Sequence, residues 1–319
     1  MIVVLSYNGD AGTTPVLEWL QRMNQNFMRI NLEDEDFHNI SVSLGKENKI
    51  TLILKNGKLL DIANVDYFFY RGGTIPFYLP ENNNTDIASD AMETHLRFEY
   101  KTLINFFYKE VSKKCLGNLL LNPINKLDQI VYALKIGLKV PETLVCNKNK
   151  NLKDFFHSHH SIITKSIQEN ILPQTLTDCF NLKPEIIDVK EVPDIFFPSL
   201  FQEFINKKME IRTFYLDGCF YSLGMVLNSN MNICDDYRKH TNELRYFRYN
   251  LPVQIENKLH KLMRFFKLNI GSIDLILSDD NEYYFLEINP TGQYGWVSDY
   301  GNYCIEKKIA EFLVNKTKK

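Results

Sequence analysis

The chain has 319 residues, 45% of them hydrophobic and 13% aromatic, with 37 basic and 39 acidic side chains and a formal charge of -2. That is material for two or three packed cores, since single domains run to about 100–200 residues. The balance of charge excludes a global field that would draw a nucleic acid or a membrane surface, so any anion site has to be local.

The N-terminal MIVVLSY has no basic residues before its apolar run and reads as a first strand rather than a signal peptide. The turn-rich NGDAGTTP follows, then a helix on PVLEWLQRMNQ with Pro15 in its first turn. KITLILKNGKLLDI carries the Asn56-Gly57 turn of a hairpin, and the strand DYFFYRGG ends at Arg71. A long helix is expected over about 88–114. The composition changes near Leu119, where a helix stopped by Gly137 leads into a strand. SIITKSI and SLFQEFI read as strands, and EIRTFYLDGCFYSLGMVL as a hairpin turning at Asp217-Gly218. The polar stretch 228–250 predicts a mobile loop, 270–289 a hairpin, 291–301 a glycine-rich loop and 302–314 a last helix. The fold class is α/β (α+β), in three parts: 1–118, 119–206 and 207–319. No apolar stretch approaches the ~20 residues of a membrane span. Six cysteines without a C-x-x-C pair are read as reduced thiols of a cytoplasmic protein.

The sharpest chemical signal is GSIDLILSDDNEYYFLEINP. A two-residue turn at Asp280-Asn281 sets Asp274 opposite Glu287, with Asn289 on the same face and Leu286 and Ile288 pointing into the core. Opposed carboxylates repel, so the arrangement makes sense around a cation, and two carboxylates with an amide oxygen suit Mg²⁺. A solvated sheet face with unrelated acids is the alternative. Lys165, inside an apolar strand, and Lys126, at a helix start, are candidate phosphate partners, each otherwise a solvated lysine. Arg212 lies on the opposite face from Ile211 and could neutralise a phosphoryl group; an ion pair with Glu210 is its bland alternative. The Gly9-to-Gly12 segment reads as a turn, and His157, His159 and His160 as a polar helix end.

The order of NK at 125–126, Lys165, QEFI at 202–205, EIR at 210–212, DYR at 236–238, FRYN at 247–250, SIDL at 272–275 and LEINP at 286–290 resembles the ATP-grasp ligases over about 120–295. FFYRGG, DYRKHT followed by FRYNLP, and NPTGQYGW resemble more narrowly the microviridin-type graspetide synthetases, the grasp-with-spasm peptide maturases. The resemblance implies an N-terminal α/β pre-ATP-grasp domain and two α+β subdomains enclosing ATP. Lys126 and Lys165 would hold its phosphates. Gln202, Glu203, Phe204 and Ile205 would form the adenine hinge, with Glu203 and the backbone of Phe204 and Ile205 reading the amino group. Arg212, with Arg248 as a second candidate, would stabilise the γ-phosphate, and Asp274, Glu287 and Asn289 would ligate Mg²⁺, Asn289 also lying against the nucleotide. Arg71, Arg238 and His240 would face a precursor peptide with leader and core; Arg71 is otherwise a buried structural arginine, and His240 part of a solvated loop. A homodimer is expected.

The implied reaction activates Asp or Glu side chains of a ribosomally made peptide as acyl phosphates. Thr, Ser or Lys side chains then close ester or amide cross-links. Two alternatives stand beside it: a ligase that adds an amino acid to a protein or small acceptor, like the glutamate ligases, and a nucleotide-binding protein without catalysis. One departure from the family pattern is the segment after Lys165, SIQENILPQT, which lacks the expected glycines.

Overall fold

The structure is a computed structural model that describes residues 1–35, 40–46, 48–77, 89–119, 124–167, 184–227 and 244–318. Its backbone contacts group into two units, one of Met1–Asn122 with Gln293–Ser298 and Cys304–Lys319, the other of Pro123–Gly292 with Asp299–Tyr303.

The first unit begins with β1 (Ile2–Ser6), buried along its whole length as a parallel central strand must be. α1 (Thr13–Arg22) starts two residues before Pro15 and is capped at Met23, followed by Asn24, whose φ of 53° no longer fits a helix. β2 (Phe27–Asn31) pairs parallel with β1. The antiparallel trio β3 (Ile40–Ser43), β4 (Lys49–Ile53) and β5 (Leu59–Asp61) contains the expected hairpin. Its loop tightens at Gly57, where φ is 78° and the amide donates to Leu54. β6 (Tyr67–Tyr70), α2 (Ser89–Ser112) and β7 (Cys115–Leu116) complete a parallel sheet of order β2-β1-β6-β7. Phe68, Phe107, Leu5 and Val111 are among its core side chains. Each such fully buried side chain contributes about 1.5–3 kcal/mol.

The second unit starts with α3 (Lys126–Lys135), capped by the Asn125 side chain on the Leu127 amide and stopped at Gly137, where φ is 77°. β8 (Thr143–Lys148), α4 (Asn149–His159), β9 (Ile162–Lys165), β10 (Glu185–Ile186) and β11 (Ile195–Glu203) follow, with sheet order β10-β9-β11-β8. α4 ends at His160 with a φ of 60°, so the histidines do mark a helix end. The larger sheet has order β14-β13-β12-β15-β16, all antiparallel. It is built from β12 (Lys207–Leu216), β13 (Cys219–Leu227), β14 (Leu244–Tyr249), β15 (Ile270–Ser278) and β16 (Tyr283–Asn289), with α5 (Val253–Phe265) between β14 and β15. Asp217 and Gly218 both have positive φ, as a two-residue hairpin turn demands.

α6 (Gly295–Gly301) occupies what reads in the sequence as a glycine-rich loop, and α7 (Ile305–Thr317) returns to the first unit, setting Phe312 edge-on against Tyr67 at 6.1 Å. Residues 228–243 of the expected loop lie outside the described residues, and its end is corrected: LRYFRY pairs along β13 as an edge strand. No helix among the described residues is long and apolar enough to cross a membrane.

Candidate active site

The hairpin of β15 and β16 departs from expectation twice, and the departures cancel. Its loop has three residues, Asp279 to Asn281, closed by the Ser278 amide on the Glu282 carbonyl, with Asn281 at a φ of 61°. Nearest the turn the register is Leu277 with Tyr283, one step from the predicted pairing. An irregularity between Asp274 and Leu275 then absorbs an extra residue, Leu286, and restores Asp274 opposite Glu287 and Ser272 opposite Asn289. The bulge corrects one expectation: Phe285 and Ile288 are buried in the core, while Leu286 is half-buried.

Cross-strand partners share a face. Arg212 pairs with Leu223 on one side and Asp274 on the other, Leu223 leads on to Arg248, and Asp274 to Glu287. A single row across the sheet therefore carries Arg248, Leu223, Arg212, Asp274 and Glu287. Two carboxylates about 5 Å apart would repel by roughly 3 kcal/mol at an effective dielectric of about 20. Cations offset this. The guanidinium of Arg212 is ion-paired with Asp274, so the alternative pairing with Glu210 is not used; Glu210 takes Lys207. Lys126 Nζ lies 2.8 Å from Glu287 Oε2, and these four side chains remain 10–18% exposed. Lys126 Nζ also donates to the Ser166 carbonyl at 3.4 Å, just past the end of the strand that carries Lys165.

Lys165 lies opposite Leu200, and Ile163 opposite Gln202, which places Lys165, Leu200 and Gln202 on one face of the smaller sheet. Glu203 is on the other face, with Ile162 and Phe201, which belong to the small core that includes Leu152 of α4. Its carboxylate accepts from the Glu142 amide at 2.9 Å and lies 3.5 Å from His159 Nδ1. The Phe204 amide donates to the Ser161 carbonyl at 3.0 Å, and Ile205 is half-buried beside it. Within QEFI the side chain that joins Lys165 is thus Gln202. It is 1% exposed, its Nε2 donates to Thr143 Oγ1 at 2.8 Å, and its buried Oε1 has no hydrogen-bond partner among the described residues.

The other expected residues have different surroundings. Arg248 donates to the carbonyls of Gly301 and Asn302 and stacks on Tyr303 at 4.7 Å, so its head group anchors the segment after α6. Burial pushes the Tyr303 hydroxyl pKa up, against the opposing pull of Arg248, and that hydroxyl donates to the Ser222 carbonyl at 2.7 Å. Arg71 is 3% exposed, with Nε 3.5 Å from Asp10 Oδ2 and its guanidinium 4.8 Å from the Tyr294 ring. Its burial supports the structural one of the two readings above. Arg238 and His240 lie outside the described residues.

The donor set fits Mg²⁺. No group of three or more His, Cys, Asp or Glu side chains capable of holding a metal occurs among the described residues. Two carboxylates and the Asn289 oxygen, which also accepts from the Thr291 amide at 3.1 Å, leave the remaining positions to phosphate and water. A magnesium ion is commonly bound in that way.

Sequence reading missed Gln129. It is 2% exposed on α3, one turn beyond Lys126, and its side-chain amide meets the backbone of Ile288. A polar residue on the helix face it shares with Ile130 and Ala133, which are buried, was the available signal.

No protein-family model and no curated protein matches the sequence. Solved structures do. An ATP-grasp ligase of Chryseobacterium gregarium, RiPP-associated and in complex with ADP and a leader and core peptide, is 21% identical, with a TM-score of 0.78 over 99% of this chain and 96% of that one. The fold is that of the ATP-grasp ligases. The macrocyclase MdnC of Microcystis aeruginosa, bound with its precursor peptide MdnA, is 24% identical with a TM-score of 0.73, covering 98% of this chain and 99% of its own. The ATP-grasp ligase PsnB, complexed with a minimal precursor, Mg and ADP, is 17% identical with a TM-score of 0.72, covering 100% of this chain and 98% of its own. Within this ATP-grasp fold, Asp274, Glu287, Arg212 and Lys126 gather in the second unit.

Proposed function

We propose that the chain is an ATP-dependent peptide ligase that cross-links a ribosomally made precursor through the side chains of Asp or Glu and of Thr, Ser or Lys. The observation that carries this reading is the row Arg212, Asp274 and Glu287 joined to Lys126, which pairs two hard carboxylates with two cations at a half-open surface.

A carboxylate resists attack by a hydroxyl or amine because its leaving group is oxide, so it must first be activated. Asp274, Glu287 and Asn289 would hold Mg²⁺, which when bound neutralises phosphate charge. Lys126 and Lys165 bind the phosphates, and Gln202 presents its buried acceptor to the adenine amino group, a role that the resemblance assigns to Glu203. Arg212, ion-paired with Asp274 on the same row, would stabilise the charge of the transferring phosphoryl group. Transfer to the substrate carboxylate gives an acyl phosphate and ADP. The hydroxyl or amine then attacks the acyl carbon, phosphate leaves with the C–O bonding pair, and the nucleophile loses its proton. Arg212 remains placed to stabilise the departing phosphate. Positioning and charge neutralisation supply the rate, with no covalent enzyme nucleophile.

Co-expression with a candidate precursor, a short peptide rich in Thr or Ser and Asp or Glu, followed by mass spectrometry, tests the reading: each link removes the mass of one water. A gain of an amino-acid residue would instead indicate addition to an acceptor, and absence of ADP formation with peptide present would indicate a binding protein. The homodimer implied by the resemblance is part of the proposal, and light scattering measures it.

A further inference from the structure

β16 is an edge strand, and an edge presents unpaired backbone groups. Two elements of the second unit cover it. The Lys139 carbonyl accepts from the Phe285 amide at 2.8 Å, in an isolated parallel bridge of Lys139 to Tyr284. Beyond the Leu286 bulge the cover is a side chain. Gln129 Oε1 accepts from the Ile288 amide at 2.7 Å, and Gln129 Nε2 donates to the Ile288 carbonyl at 3.2 Å. The primary amide makes the two bonds that a neighbouring strand would make. Nε2 also donates to the Ile124 carbonyl at 3.2 Å, immediately before the Asn125 cap and Lys126.

Three groups are thereby locked by one side chain: the chain entering α3, the first turn of α3, and the residue between Glu287 and Asn289. We infer that Gln129 is a positioning residue for the nucleotide site, setting the distance of Lys126 from Glu287 and the aim of Glu287 and Asn289. This deepens the proposed function and rests on it. Burial at 2% with every side-chain hydrogen-bonding atom used means the clamp has little slack, and its loss lets α3 slide along a strand edge that has no other bond at Ile288 among the described residues. Groups that orient ligands of a metal typically change its affinity by about 10–100-fold when removed.

Isothermal calorimetry with Mg-ADP provides the test, because it needs no peptide. Gln129→Met removes all three hydrogen bonds, and Gln129→Glu keeps the shape and an acceptor but loses the donors. Both are expected to raise the Mg-ADP Kd by about tenfold or more while melting cooperatively. A double-mutant cycle separates positioning from general loosening: added to Lys126→Met, Gln129→Met is expected to raise the Kd by a clearly smaller factor than in the wild-type background, since part of its effect runs through Lys126. Losses that multiply, an unchanged Kd in the single variants, or failure of both to fold would overturn the inference while leaving the ligase reading intact. Failure of the wild-type chain to bind Mg-ADP would sink the ligase reading, and this inference with it.

Discussion

Two ionic clusters in this molecule use the same residue types for opposite ends. In the first unit Arg71 and Asp10 are 3% and 0% exposed, and Asp10 is further wrapped by the Gly12 amide at 3.0 Å, by Ser6 Oγ at 3.1 Å and by Thr13 Oγ1. In the second, Arg212, Asp274, Lys126 and Glu287 are 10–18% exposed, with Arg212 paired to Asp274 and Lys126 to Glu287. A carboxylate surrounded by neutral donors and sealed from water has nothing left to offer a ligand. A carboxylate held by cations at a half-open surface can exchange them for a metal and a phosphate at small cost, because water still screens the separated charges.

If that contrast is right, Arg71→Met is a stability variant. Leaving Asp10 buried without its cation should cost about 3–5 kcal/mol in denaturant titrations, with Mg-ADP affinity of the folded protein unchanged. Asp274→Asn is the reverse: peptide-dependent ADP formation should fall by about 10²–10³-fold with little change in melting temperature. Arg248 stands between the two, on the same cross-strand row as Arg212 but bonded to the Gly301 and Asn302 carbonyls. Arg248→Met should cost about 1.5–3 kcal/mol of stability, and a rate loss exceeding what that accounts for would move it into the phosphate site. The smallest effects concern the adenine hinge. Gln202→Met should lose about 1–3 kcal/mol of preference for ADP over GDP, whereas Glu203→Gln should alter it by less than about 1 kcal/mol, measured by competition binding. The opposite order would return the adenine contact to Glu203.

Much of this was legible in one dimension. Helices with caps and stops, such as α3 between Asn125 and Gly137, follow from local backbone preferences that neighbouring residues cannot easily overrule. The α/β class was readable for the related reason that strand alternation is regular over most of its length, whereas the facing of Asp274 with Glu287 was anticipated only because the misjudged turn and the bulge offset each other. The row that joins Arg212 to them was not, because it depends on β12 pairing with β15 across some sixty residues of chain, a register no local pattern states. The three-residue turn and the Leu286 bulge were invisible for the same reason, each being a compromise between the turn and the pairing beyond it.

What the sequence by itself determined is chemical type: which side chains could hold a cation, a phosphate or an adenine, and which strands and helices bear them. The tertiary structure alone decided allegiance. It turned Glu203 towards His159 and Gln202 towards the face of Lys165, enclosed Arg71, and recruited Gln129 to stand in for a missing strand. Side-chain identity is a property of one residue, whereas the face it shows and the partner it meets depend on every strand and helix packed around it.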